Sequence, residues 1–144
     1  VYKQWKSNGM RESWCSSHFL HYKALYRAEE VLDQLKEILK QQKIEVADDI
    51  SSADSWKFVR QCIASASISK AARMNGIGQY VNLRTGMPCF LHPTSSIFAL
   101  GFCPEYVVYH ELILTSKEYM HGVTYVDPKW LAKSGPMVYS LRIV

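Results

Sequence analysis

The sequence predicts an α+β chain: a helical bundle portion over residues 1–76, then a small closed or nearly closed sheet of about five strands with one short helix over residues 77–144. Three observations predict it. In residues 25–39, apolar side chains recur at three- and four-residue steps, the spacing of one helix face. At Asn75-Gly76 and Gly78 the helical period gives way to alternation, the period of strands. Residues 106–126 form two β-branched and aromatic runs, Tyr-Val-Val-Tyr-His-Glu-Leu-Ile-Leu and Tyr-Met-His-Gly-Val-Thr-Tyr-Val, joined by Thr-Ser-Lys-Glu. That is the pattern of long adjacent strands. The first run is apolar on both faces except at His110 and Glu111, so it is expected as a central strand.

Taken in order, residues 1–6 read as a helix stopped by Ser7-Asn8-Gly9, a good C-cap sequence. Ser13 offers an N-cap ahead of Trp14. Leu25, Ala28, Leu32, Leu35 and Leu39, widened by Val31 and Ile38, form the apolar stripe of the next helix, and Asp33–Lys36 and Glu37–Lys40 can pair one turn apart. The acidic and Ser-rich stretch 44–54 is a loop, with Ser52 or Asp54 starting a helix whose apolar face is Trp56, Val59, Ile63 and Ala66. Small residues at 64–72 suit close approach of a neighbour, and Lys70 and Arg73 complement the dipole at the helix end. A hairpin follows, 80–84 and 87–92 about Thr85-Gly86, with Tyr80, Asn82 and Arg84 on its more exposed face and Met87, Cys89 and Leu91 together on one side. Pro93 ends that strand, because it cannot donate to a ladder. Residues 97–102 are apolar and lead into the 106–126 runs. Asp127-Pro128 starts a short helix through Lys133, capped by Asp with Pro at the first position, and 138–144 alternates as a last strand. About five strands plus a short helix is the count of an OB-fold-like barrel.

A chain of 144 residues, 48% apolar and 12% aromatic, is enough for one ordinary domain or two very small ones with a real core, which excludes a disordered chain. Its net charge of +4 and pI near 8.9 mildly favour a polyanionic partner over an acidic substrate. Cys15, Cys62, Cys89 and Cys103 are scattered without a CxxC pair, which suits reduced thiols in the cytosol or nucleus. No apolar run approaches the roughly 18 residues of a membrane span, and the N-terminus lacks the order of a signal peptide. The opening Val-Tyr-Lys-Gln-Trp-Lys, without an initiator Met, reads as mid-helix in a piece of a longer protein.

Lys117, flanked by Thr115, Ser116 and Tyr119, sets a cation among hydroxyls and an aromatic ring, which suits a nucleic-acid strand: charge for phosphate, ring for a base. The competing reading is a solvated hairpin tip. Arg84, at the tip of the first hairpin, is a phosphate clamp or a surface charge. His92, Pro93, Thr94, Ser95 and Ser96 supply hydroxyls and amides at a strand end, either to receive phosphate or ribose or to cap their own turn. Tyr80, Tyr109 and Tyr119 are the rings to test for stacking. Cys15, His18 and His21 drift around a helix instead of converging, so zinc is disfavoured, and His110-Glu111 lacks the second His of a zinc-protease helix, since position 114 is Leu. There is no Gly-rich phosphate loop ending Gly-Lys-Ser/Thr and no acidic metal motif after a strand, so this chain by itself is expected neither to bind nor to hydrolyse ATP, to need no cofactor and not to be catalytic.

Three runs, Tyr-Val-Asn-Leu-Arg-Thr-Gly-Met-Pro-Cys (80–89), Leu-His-Pro-Thr-Ser-Ser-Ile-Phe (91–98) and Glu-Tyr-Val-Val-Tyr-His-Glu-Leu (105–112) followed by Thr-Ser-Lys-Glu-Tyr-Met (115–120), resemble the C-terminal region of DEAH-box RNA helicases. Trp14-Cys15 with His18-Phe19 resembles the helicase-associated helical domain that precedes the barrel there. Within the family, residues 84–89 are most similar to the spliceosomal member that acts at the second catalytic step of pre-mRNA splicing. The resemblance implies the end of the ratchet-like helicase-associated domain over 1–76, joined to an OB-fold over 77–144. It implies a nuclear, non-catalytic, RNA-contacting and regulatory module of an ATP-dependent helicase. ATP and Mg²⁺ would then belong to two RecA-like domains of the same chain, and the partners would be single-stranded pre-mRNA, those RecA-like domains and spliceosomal or activator proteins. The RNA-binding candidates are Arg84, His92, Ser95, Ser96, Thr115, Lys117 and Tyr119. Many relatives carry Arg after Lys-Glu-Tyr-Met, where this chain has His121. The alternative is a protein-docking module that binds an activator or the helicase core without touching RNA.

Overall fold

The computed structural model describes residues 1–45, 55–101 and 103–140, and the chain divides into two compact units, 1–50 and 51–144. Among its described residues the first holds three helices, α1 (Tyr2–Ser7), α2 (Glu12–Ser17) and α3 (Tyr22–Gln41). α1 stops where Ser7-Asn8-Gly9 predicts: Asn8 is the C-cap and Gly9 sits at φ +73°, a conformation glycine adopts without strain. α2 begins two residues earlier than expected, with Arg11 as N-cap, so Ser13 lies inside its first turn. At α3 the cap is His21, whose Nδ1 accepts the Ala24 N–H at 3.1 Å. Trp5 anchors this unit, fully buried with its ring 6.1 Å from Tyr2 and 6.3 Å from Tyr22. Glu29 on α3 takes Lys6 at 2.7 Å and the Tyr2 hydroxyl, tying α1 to α3. The apolar stripe of α3 is only partly covered: Leu25, Leu32 and Leu39 are half-buried, whereas Val31, Leu35 and Ile38 are exposed. An ion pair along α3 joins Arg27 to Glu30.

In the second unit, α4 (Ser55–Ala66) is followed by a 3₁₀ turn (Ile68–Lys70) and then by strand β1 (Ala71–Gly76). The expected caps Ser52 and Asp54 lie outside the described residues. The switch from helix to strand therefore falls at 67–70 rather than at Asn75-Gly76, and residues 71–74, expected as the end of the helix, belong to the strand. Lys70 accordingly does not serve a helix end. Its ammonium donates to the His110 carbonyl, and Arg73, on β1, pairs with Glu105 at 3.3 Å. The apolar face of α4 is also rotated from expectation: Ala64 is buried and Val59 half-buried, while Trp56 is 73% exposed.

Six further strands follow: β2 (Gln79–Asn82), β3 (Pro88–Leu91), β4 (Tyr106–Val108), β5 (Glu111–Leu114), β6 (Glu118–His121) and β7 (Thr124–Tyr125). They form one sheet in the order β5-β6-β3-β2-β1-β4-β7. The class is the α+β arrangement predicted, with seven strands in an open order where about five in a barrel were expected. The 106–114 run is not one central strand. It breaks at Tyr109 and His110 into β4, beside the edge strand β7, and β5, itself an edge with all four residues exposed. The described part of the 97–102 segment begins with a helical turn, α5 (Ser96–Ala99). α6 (Pro128–Ser134) starts as predicted, the Asp127 carboxylate accepting the Lys129 N–H at 2.8 Å. Residues 138–140 do not form the expected last strand, and the rest of it lies outside the described residues.

Two cores sit on opposite faces of β1 and β4, because neighbouring residues of a strand point to opposite sides. Ala72, Tyr80, Cys89, Leu91, Ile97, Val107, Tyr109 and Met120 pack on the inner face. Ala71, Val108 and Val126 pack with Ala64 of α4 and Leu131 of α6 on the other. Each fully buried large side chain contributes about 1.5–3 kcal/mol. The β2–β3 hairpin forms as predicted, but the faces of β2 are exchanged, with Tyr80 and Asn82 buried and Leu83 exposed, while on β3 Cys89 and Leu91 share the buried face and Met87, before the strand, is exposed. No described helix is long and apolar enough to cross a membrane.

Candidate nucleic-acid interface

β3 and β6 run parallel, with Phe90 opposite Tyr119 and Leu91 opposite Met120. Leu91 and Met120 point into the inner core, so Phe90 and Tyr119 point outward, side by side, with ring centroids 6.3 Å apart. The same register puts the β5–β6 tip and the β2–β3 turn at one end of these strands, and the 92–96 loop with His121-Gly122 at the other.

Along this outer face the side chains form a continuous track. Lys117, at the β5–β6 tip closed by a Thr115 N–H bond to the Lys117 carbonyl at 3.1 Å, lays its ammonium 4.5 Å from the centre of the Phe90 ring. This is cation–π distance. Tyr119 follows, and the His92 ring meets it edge-on at 5.2 Å and 76°. Beyond His92 opens a pocket of about 250 Å³, lined by His92, Thr94, Ser95, Ser96, His121 and Gly122 among others. The Thr94 N–H points at His92 Nδ1 from 3.2 Å and its hydroxyl lies 2.6 Å from the same atom, so the neutral ring carries its proton on Nε2. That leaves Nε2–H as the ring's donor beside the serine hydroxyls. Gly122 closes the rim at φ +64°, where a Cβ would lie 2.9 Å from that of His110. His121 pairs with Glu111 at 3.3 Å across the β5–β6 ladder.

The fold thus brings together Lys117, Tyr119, His92, Ser95 and Ser96, with Thr115 at the hairpin tip. It does not bring Arg84 into the track. Arg84 sits in the β2–β3 turn, where its charge acts to lower the Tyr139 pKa against the larger upward effect of burial. Tyr80 and Tyr109 are withdrawn as stacking rings. Tyr80 is fully buried, donates to the Pro104 carbonyl at 2.7 Å, and its phenol is pushed up to about 12 by burial and, secondarily, by Cys103 and Cys89. Tyr109 is buried with its hydroxyl on Asn82, and burial raises its pKa also. Sequence reasoning passed over Phe90. Its signal was the alternation that sends Cys89 and Leu91 inward and so must send Phe90 out.

An outward cation–aromatic track on one face of a small sheet, beside a polar loop, suits the class of OB-fold domains, which bind strands on a sheet face and its flanking loops. Residues 59–138 match the family model described as oligonucleotide/oligosaccharide-binding (OB)-fold, and the chain belongs to that family, as the OB-fold region of DEAH-box helicases. It is 37% identical over 139 residues to the probable ATP-dependent RNA helicase DHX35 of Pongo abelii, covering 96% of this chain and 19% of that protein. It is 33% identical over 140 residues to the pre-mRNA-splicing factor ATP-dependent RNA helicase prp22 of Schizosaccharomyces pombe, covering 96% of this chain and 12% of that protein. The chain thus spans less than a fifth of the length of these relatives. The crystal structure of the E. coli DExH-box NTPase HrpB shares the fold over 71% of this chain and 12% of its own, with a TM-score of 0.50 at 18% identity.

Proposed function

We propose that this chain is a non-catalytic, RNA-contacting and regulatory module of an ATP-dependent DEAH-box helicase that acts on pre-mRNA in the nucleus. The observation that carries the reading is the track Lys117–Phe90–Tyr119–His92 ending in the hydroxyl-lined pocket. Single-stranded RNA needs a cation for phosphate, flat faces for bases and donors for ribose or phosphate oxygens, and the track supplies all three in line. Similarity to the helicases DHX35 and prp22 supports the RNA substrate class, and residues 84–89 alone support the second-step splicing member. ATP and Mg²⁺ belong, on this reading, to RecA-like domains of the full protein, and the module acts by holding the strand they move.

The grip is electrostatic and stacking, hence sequence-tolerant and salt-sensitive. The test is titration of fluorescent single-stranded RNA against the full-length helicase across salt concentrations, for the wild type and Lys117→Ala. Weaker binding with a shallower salt dependence supports the reading. Unchanged binding together with unchanged RNA-stimulated ATPase and unwinding removes it.

A further inference from the structure

A second groove lies in the same unit, on the outer side of β7. It measures about 320 Å³ and is lined by Lys57 and Arg60 of α4, Tyr125 and Val126, and Asp127 and Trp130 at the start of α6. The Arg60 guanidinium lies 3.9 Å over the Tyr125 ring and 5.6 Å from that of Trp130, and its Nε donates to the Trp56 carbonyl at 3.3 Å. Arg60 is thus half-buried, with its guanidinium over the Tyr125 ring and near that of Trp130, and among the described residues no carboxylate pairs with it. The acid of the groove, Asp127, already accepts the Lys129 N–H as the cap of α6. One turn upstream of Arg60 on α4, Trp56 stands 73% exposed.

We infer that this groove docks an acidic, hydrophobic segment of a protein partner: a carboxylate seated on the Arg60 fork with Lys57 beside it, and an adjacent apolar side chain against Trp56. A guanidinium fixed by stacking is prepared for bidentate carboxylate recognition, because little side-chain entropy remains to be lost when the pair forms. Trp, Tyr and Arg gathered round a groove are the residue types that dominate protein interfaces. A nucleic-acid strand fits less well, because the cations are confined to one short stretch of α4 and share the groove with the carboxylate of Asp127. The inference is independent of the RNA track, which uses β3 and β6.

The test uses the full-length protein and two labelled probes: a synthetic peptide alternating Asp or Glu with Leu or Phe, and oligouridylate. Expected is saturable binding of the peptide, weakened roughly tenfold by Arg60→Glu, the scale of one lost charge-assisted bidentate pair. Its Asn/Gln counterpart should bind as weakly, and oligouridylate affinity should be unchanged by the substitution. Arg60→Lys, which keeps the charge and loses the fork, should fall between, and Lys57→Glu, at an exposed position, reports on the groove if Arg60→Glu fails to fold. No peptide binding, binding indifferent to both Arg60 and Lys57, or loss of oligouridylate binding in its place would each overturn the inference. Loss of RNA binding on Lys117→Ala with peptide binding intact leaves it standing.

Discussion

Asn82 Nδ2 donates to the Tyr109 hydroxyl at 2.6 Å inside the sheet, and Asn82 Oδ1 accepts the N–H groups of Arg84 and Thr85 at 2.8 and 2.9 Å. One amide with both ends satisfied therefore ties the end of β4 to the turn between β2 and β3. Removing either member leaves a buried polar atom without a partner. Tyr109→Phe should cost about 1–3 kcal/mol, and Asn82→Ala, which also uncaps the turn, should reach the upper end of that range or exceed it. Urea denaturation reads this as a lower midpoint at unchanged slope.

The rest of the fold was legible where local chemistry decides it. Ser7-Asn8-Gly9, the Thr85-Gly86 hairpin and Asp127-Pro128 each specify a stop, a turn or a start from residues a few positions apart, and each stands where predicted. Ala71–Gly76 was not legible. Ala-Ala-Arg-Met reads as helix, and only pairing with β2 on one side and β4 on the other makes it a strand. Asn82 misled in the same way: a polar side chain in alternation reads as exposed, and its buried partner Tyr109 lies 27 residues away. Of the candidate site, Lys117, Tyr119 and the 92–96 loop were legible because polar and aromatic residues cluster there. Their convergence, and the part of Phe90, depend on the parallel β3–β6 register, which no local pattern encodes.

Burial raises the pKa values of Tyr80, Tyr109 and Tyr139, and raises Cys89 from its usual 9.0 to about 11. In each case the unfolded chain loses its proton at lower pH than the folded one, so stability falls as pH rises. Stability should hold up to about pH 9 and decline from there through the folded-state values, near 11 for Cys89 and near 12 for Tyr80. Urea midpoints across this window check it. Tyr80→Phe should lower the plateau, by loss of the bond to Pro104, and flatten the decline.

Gly122 combines positive φ with the His110 side chain against the space a Cβ would fill. Gly122→Ala should cost about 1–2 kcal/mol from the left-handed backbone alone, with the close approach added to it. The melting temperature measures the loss, and RNA affinity should drop with it as the rim of the 92–96 pocket is displaced.

Charge and ring in the track should separate by salt. Lys117→Ala should reduce the slope of log affinity against log salt by about 0.7, the value for one phosphate contact on a single strand. Tyr119→Leu should weaken binding by about 1–3 kcal/mol with the slope unchanged, because stacking releases no counterion. Phe90→Leu should behave as Tyr119→Leu does. Arg84→Ala, away from the track, should have the smallest effect on both quantities.

Photo-crosslinking of the full-length protein to single-stranded RNA carrying photoreactive uridine, read by mass spectrometry of the adducts, tests the central claim most directly. The account predicts adducts on Phe90, Tyr119 and the peptides that carry 92–96 and 117–122. Adducts confined to other surfaces, with these peptides unmodified, would contradict it.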